Sequence, residues 1–96
     1  MTNSEILPAA EAEYNQAIDW YLGKSATAAK RFVVAVETAI DSIRNNPEQY
    51  PRWDQTYRFC LCRRFPYYIA YRCTSERVVI VSIRHAAQDQ DAWLGR

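Results

Sequence analysis

Arg64-Phe65-Pro66-Tyr67-Tyr68-Ile69-Ala70-Tyr71-Arg72 is the stretch whose reading decides the fold of this chain. Its apolar residues fall on alternate positions, the two-residue period of a β-strand. Phe65, Tyr67, Ile69 and Tyr71 are expected on one face, and Arg64, Tyr68 and Arg72 on the other. A second apolar run, Val78 to Ile83, leads directly into Arg84-His85. Apart from Ser82 it is apolar on both faces, which predicts a central place in a sheet. Thr74-Ser75-Glu76 between the two reads as a hairpin turn. Upstream, Tyr57, Phe59 and Leu61 alternate with Arg58, Cys60 and Cys62 in a third strand. Cys60 and Cys62 are expected on its non-core face.

Working outward toward the N-terminus, the period changes from two to about 3.6. Ala10, Tyr14, Ala17, Ile18 and Tyr21 form one stripe of a helix that begins after Pro8 and stops at Gly23. Ser25 is a suitable N-cap for a second helix. This helix carries Ala29, Phe32, Val33, Val36, Ile40 and Ile43 on one face and ends at Asn46-Pro47. At about 30 Å it can cross a small sheet. The short Gly23-Lys24 connection makes the two helices antiparallel. Ser4 to Leu7 reads as a short edge strand. Asp89 to Leu94 reads as a short C-terminal helical turn anchored by Trp93. The expected architecture is α+β, in the order β-α-α-β-β-β. An antiparallel helical hairpin packs on a small, mainly antiparallel sheet within a single domain, residues 1–96.

Apolar residues make up 49% of the chain, enough to fill one core without metals or disulfides. Three cysteines, in no CxxC pattern, fit a reducing compartment. Cys60, Cys62, Cys73 and His85 lack the spacing of a zinc knuckle, so no metal or other cofactor is expected. No apolar run approaches the ~20 residues of a membrane span. Met1 to Leu7 lacks the basic start and apolar core of a signal peptide, and a cytoplasmic location is expected. The net charge is +1 but unevenly spread. Residues 1–51 hold four cations against seven acids, whereas residues 52–85 hold seven arginines against Asp54 and Glu76. A partner of the sheet region is therefore expected to be anionic rather than cationic.

The ordered set of Trp20-Tyr21, the Phe32 to Ile43 stripe, Asn46-Pro47, the Arg64 to Arg72 strand, Ile83-Arg84-His85, Asp89 and Trp93 resembles the RelE/ParE superfamily of bacterial toxins. These are the toxins of type II toxin–antitoxin modules. The resemblance runs from about Glu5 to Trp93. It is closer to the ParE-like, plasmid-stabilisation branch, because a histidine closes the last strand and a tryptophan follows eight residues later. It implies a growth-inhibiting toxin neutralised by direct contact with a cognate antitoxin. ParE-like members are associated with inhibition of DNA gyrase, and RelE-like members with cleavage of mRNA on the ribosome. One scaffold hosts both activities.

Metal-free RNA cleavage needs an acid, a base and cations. The residues on offer are His85, Arg84, Arg64 and Arg58. His85 reads either as a proton-transfer group or, in preference, as a histidine that hydrogen-bonds backbone and closes the sheet. The resemblance implies arginines just beyond this strand, but Ala87 and Gln88 stand there, and no lysine follows Lys30. Both facts count against a ribonuclease. Arg58, Arg64, Arg72 and Arg84, with Trp20 and Tyr68, are the candidate contacts to antitoxin or target. If the arginines converge on one sheet face they form an anion-binding patch; otherwise they are solvated side chains whose stems cover Tyr68 and Trp53. Tyr14 and Tyr21 are assigned to the core, and Trp20 to the surface.

Overall fold

A computed structural model describes residues 3–96; Met1 and Thr2, which the single-domain expectation includes, lie outside the described residues. The elements are β1 (Asn3–Ile6), α1 (Pro8–Leu22), α2 (Ala26–Asn45), β2 (Tyr57–Leu61), β3 (Tyr67–Cys73) and β4 (Arg77–His85). The sheet order is β1-β4-β3-β2. β4 runs parallel to β1, and the β2–β3 and β3–β4 pairs are antiparallel. The expected α+β order and the central place of the Val78–Ile83 run are both found.

The turn chemistry agrees with the sequence, with one change of mechanism. Pro8 opens α1, where its missing N–H removes no helical bond. Ser25 caps α2, its hydroxyl accepting the Ala28 N–H at 2.9 Å. Gly23 does end α1, but at φ −64° and not in the left-handed region. The Thr74 hydroxyl accepts the N–H groups of Glu76 and Arg77 and closes the β3–β4 hairpin. The C-terminal stretch is a run of turns, the Leu94 and Arg96 N–H groups reaching Asp91 and Trp93 carbonyls, where the sequence predicts a helical turn.

Both faces of the sheet are apolar. The helix side packs Phe32, Val36, Ile40 and Ile43 of α2 and Ala10 and Ala17 of α1 against Ile69, Tyr71, Val78, Ile80 and Ile83. Phe65 and Tyr67 join this side, so the faces of the deciding strand are as predicted. The opposite side holds a second cluster of Tyr57, Tyr68, Ala70, Val79, Val81 and Trp93, with Trp53 and Phe59 against it. This corrects the reading of β2. Cys60 and Cys62 face the helices in the main core, and Tyr57 and Phe59 face the other way. The aromatic cover supplied by Trp53 and Trp93 makes the second face the better place for the bulky rings. The Trp93 indole N–H donates to the Tyr68 hydroxyl at 2.8 Å, so both buried polar atoms are paired.

The β3–β4 register skips Val81 between Ala70 and Tyr71. Because of this bulge Ile80 and Ile83, three residues apart, both face the helices, while Ser82 sits opposite Ala70. β1 ends at Ile6, and its last link to β4 is the Leu7 N–H to the Ile80 carbonyl. α1 then runs along the edge of β4 that β1 is too short to cover.

Candidate functional site

The C-terminal end of α1 meets the C-terminal end of β4 across a cleft of about 620 Å³. Glu13, Gln16, Ala17, Trp20 and Tyr21 form its helix wall, and Pro66, Tyr67, Ile83, Arg84, His85 and Gln88 its sheet wall. Trp20 is 56% exposed, with the Lys24 ammonium 4.8 Å from its ring centre and Tyr21 edge-on at 4.9 Å. It is an aromatic anchor open to solvent, as the sequence predicts. Tyr14 and Tyr21 pack against the main core, with Tyr21 stacked on Phe32 at 4.8 Å.

Glu13 organises the cleft. Its carboxylate accepts from Arg84 at 2.6 Å, from Arg96 at 3.1 Å and from the Ser82 hydroxyl at 2.7 Å. It also accepts the Ile83 N–H at 3.2 Å, an edge amide left unpaired by the short β1. Sequence reading missed this residue, because it lies beside the apolar stripe of α1 and looks like a solvated acid. The available signal was Ser82, a lone hydroxyl in an apolar central strand that has to find an acceptor.

The sequence-predicted arginines do not converge. Arg58 lies on the helix side of β2 opposite Tyr71, and donates to the Tyr50 carbonyl at 2.7 Å. Arg64 lies in the β2–β3 turn and not on the strand, at φ 69°. Pro66 has no N–H for the ladder, and the pairing instead closes with the Cys62 N–H on the Tyr67 carbonyl at 2.9 Å. Arg72, on the second face, donates to the Arg96 carbonyl, and Arg84 is held by Glu13 and the Asp89 carbonyl. Tyr68 is 3% exposed. It belongs to the second core and is not a surface contact, because Trp53 and Trp93 cover it. The C-terminal Arg96 guanidinium, which also reaches the Val81 carbonyl, had not been singled out from the sequence.

His85 lines the cleft and packs edge-on against Tyr67 at 5.1 Å. Its Nδ1 accepts the Ala87 N–H at 2.9 Å, and its own N–H donates to the Gln88 side chain at 3.1 Å. Ala87 and Gln88, standing where the resemblance implies arginines, therefore tie the histidine into the turn. An Nδ1 that accepts leaves the proton of the neutral ring on Nε2. Burial pushes the phenols of Tyr21 and Tyr67 above their ordinary range, so both stay protonated near neutral pH. The cleft thus offers hydrogen-bond donors, an aromatic anchor and an ion pair already formed. Among the described residues, no three of the histidine, cysteine and acidic side chains gather as metal ligands.

The model of a family described as the ParE toxin of the type II toxin–antitoxin system parDE matches residues 5–90. No curated protein matches the chain. A solved structure described as the chromosomal ParDE toxin–antitoxin system from P. aeruginosa is similar in fold, with a TM-score of 0.77. It is 17% identical, and the match covers 88% of this chain and 96% of that one.

Proposed function

The chain belongs to the ParE toxin family of type II toxin–antitoxin systems, and from that premise we propose that it acts by binding. It inhibits a macromolecular target, DNA gyrase being the favoured candidate, and a cognate antitoxin neutralises it by covering the toxin surface. The whole chain acts as a single toxin domain. The observation that carries a binding mechanism is the commitment of the cleft's ionic groups to each other. Arg84 is held by Glu13, and His85 Nδ1 is held by the Ala87 amide. A cleaving enzyme needs such groups free to meet substrate. The exposed Trp20 beside Ala17 and Pro66 suits an apolar anchor of a partner helix.

Induced expression of the chain without its antitoxin tests this reading. Growth should arrest or cells should filament, with loss of negative supercoiling preceding any loss of translation. Co-expression of the protein encoded in the adjacent reading frame should restore growth. Cleaved mRNA with normal supercoiling would favour the ribosome-dependent endoribonuclease reading, in which the His85 Nε2 edge works on RNA. Normal growth with abundant folded protein would leave a module that only binds its antitoxin.

A further inference from the structure

The 12 lysines and arginines of the chain divide by what holds them. Arg44, Arg77, Arg84 and Arg96 pair with carboxylates. Arg52, Arg58 and Arg72 donate to the backbone carbonyls of Gln55, Tyr50 and Arg96. Lys24, Lys30, Arg31, Arg63 and Arg64 are exposed and, among the described residues, meet neither a carboxylate nor a carbonyl. Ring contacts bring together the segments that carry these last residues. Phe65, next to Arg64, packs on Tyr21 at 5.2 Å and on Phe32, next to Arg31, at 5.4 Å. Tyr21 stands against Trp20, and the Lys24 ammonium lies over the Trp20 ring. The α1–α2 connection, the first turns of α2 and the β2–β3 turn therefore share one end of the molecule.

Neither segment brings a carboxylate of its own to that end. No acid occurs between Asp19 and Glu37, nor between Asp54 and Glu76, and Asp19 lies a turn further back on α1. The whole chain carries a net charge of only +1, so this end holds a local positive field that the rest of the surface does not offer. Arg64 adds an independent observation. Its φ of 69° lies in the left-handed region, which glycine or asparagine adopts more readily. Among the described residues its guanidinium has no acceptor, so what an arginine gains at this strained, exposed tip lies outside the chain.

We propose that this end, through Arg63 and Arg64 of one segment and Lys24, Lys30 and Arg31 of the other, contacts the phosphate backbone of duplex DNA. A backbone with a charge at every nucleotide engages cations scattered over separate turns without a fitted groove. The planar fork of an arginine suits its oxygens. The cations stand on turns and on one helix surface, not on an element shaped to enter a groove, so the contact is independent of base sequence. Lys24 takes a face of Trp20 and Tyr21 stands edge-on against the ring, so the open stacking platform of single-strand binders is absent. Gyrase works on duplex DNA, so the contact deepens the gyrase reading and rests on it for its setting: the toxin touches the duplex that its target holds.

The probe is a fluorescently labelled DNA duplex of about 20 base pairs and arbitrary sequence, titrated with the full chain and followed by anisotropy from about 25 to about 200 mM salt. Log affinity should fall against log salt with a slope of about −3 to −4. R63Q/R64Q and K24Q/R31Q each remove two charges, from different segments. Each should weaken binding at low salt about tenfold and flatten the slope by about 2. A9E/A12E makes the same net change at exposed positions near the start of α1 and should keep the affinity within about threefold. Unchanged melting temperatures certify the fold of all three. Equal weakening by all three, or no binding by the wild-type chain at the lowest salt, overturns the proposal. So does a loss confined to one of the two neutralising variants, because the segments then do not act together. Tighter binding of single-stranded DNA or of RNA of the same length overturns it in favour of another nucleic acid. Unchanged duplex affinity in both variants, with slower association of the adjacent-frame protein, overturns it in favour of an acidic protein partner. A supercoiling assay with purified gyrase on the same preparations tests the gyrase reading separately. Inhibition by a wild-type chain that does not bind the duplex keeps that reading and sinks the DNA contact, whereas duplex binding without inhibition does the reverse.

Discussion

Glu13 and His85 hold opposite walls of the cleft, and each is tested by a single substitution. Glu13 and Arg84 are each about 15% exposed in their side chains, 16% and 15% respectively. Removing the carboxylate leaves the Arg84 and Arg96 charges with carbonyl acceptors alone, and the Ser82 hydroxyl and Ile83 amide without their partner. Glu13→Ala should therefore lower stability by about 2–4 kcal/mol, toward the range for breaking a buried pair. Urea denaturation measures it, and a change below about 0.5 kcal/mol would mean the network is ornamental. His85→Gln removes the acceptor for the solvent-exposed Ala87 amide. It should cost about 0.5–1 kcal/mol, with toxicity falling only in step with the folded fraction. If the ribonuclease reading holds, the same variant loses RNA cleavage by ~10²–10⁴ at unchanged melting temperature. Melting and activity measured on one preparation separate the two.

At the scale of elements, β3 and β4 form the centre of the sheet, and their side chains serve both cores. Ile69 and Ile80 are fully buried on the helix side. Ile69→Ala or Ile80→Ala should destabilise by roughly 2–5 kcal/mol, through lost transfer energy and a cavity between helices and sheet. Near-zero changes at both would contradict the register described here. The deciding strand was legible, although both of its faces are buried, because Phe65, Tyr67, Ile69 and Tyr71 are all large and apolar while the other face mixes Tyr68 and Ala70 with Arg64 and Arg72. In β2 neither face stands out: Tyr57 and Phe59 compete with Cys60 and Cys62 for the core side, and alternation alone cannot choose. The Arg64-Phe65-Pro66 segment also looked like strand, since its residues keep the period. Proline withdraws it from the ladder and turns Arg64 outward.

At the scale of the whole molecule, the inverted face of β2 has a chemical consequence. Cys60 and Cys62 are buried, and Cys73 is exposed. Burial pushes the Cys62 thiol from its ordinary 9.0 up to about 12, and raises Cys60 as well. Only Cys73 should react promptly with a thiol reagent in the native protein, and all three in denaturant. The sign of the pH effect follows from the same shift. A thiol whose folded pKa is raised contributes stability that is complete below the unfolded value. That stability is lost as pH rises toward the folded value, because the unfolded chain then holds fewer protons. The melting temperature should fall as pH climbs above about 9. Replacing Cys62 with alanine should reduce the steepness of that fall. A slope identical to that of the wild-type protein would argue that Cys62 is not buried.

The sequence by itself determined the element order, the helix stops and caps, the central place of the Val78–Ile83 run and the exposure of Trp20. These depend on local periodicity and on chain chemistry at turns, which a linear reading contains. The partners of charged and polar groups are set by which elements meet in space, and only the tertiary structure decided them. Ser82 needed an acceptor, but its being Glu13, far away in sequence, follows from the shortness of β1 and the edge it leaves for α1. Tyr68 read as a surface residue because nothing local announces that Trp53 and Trp93 will cover its face. The arginines that seemed to share a sheet face are separated by strand pairing: Arg58, Arg72 and Arg84 are drawn off by internal acceptors, and Arg64 lies in the turn between β2 and β3.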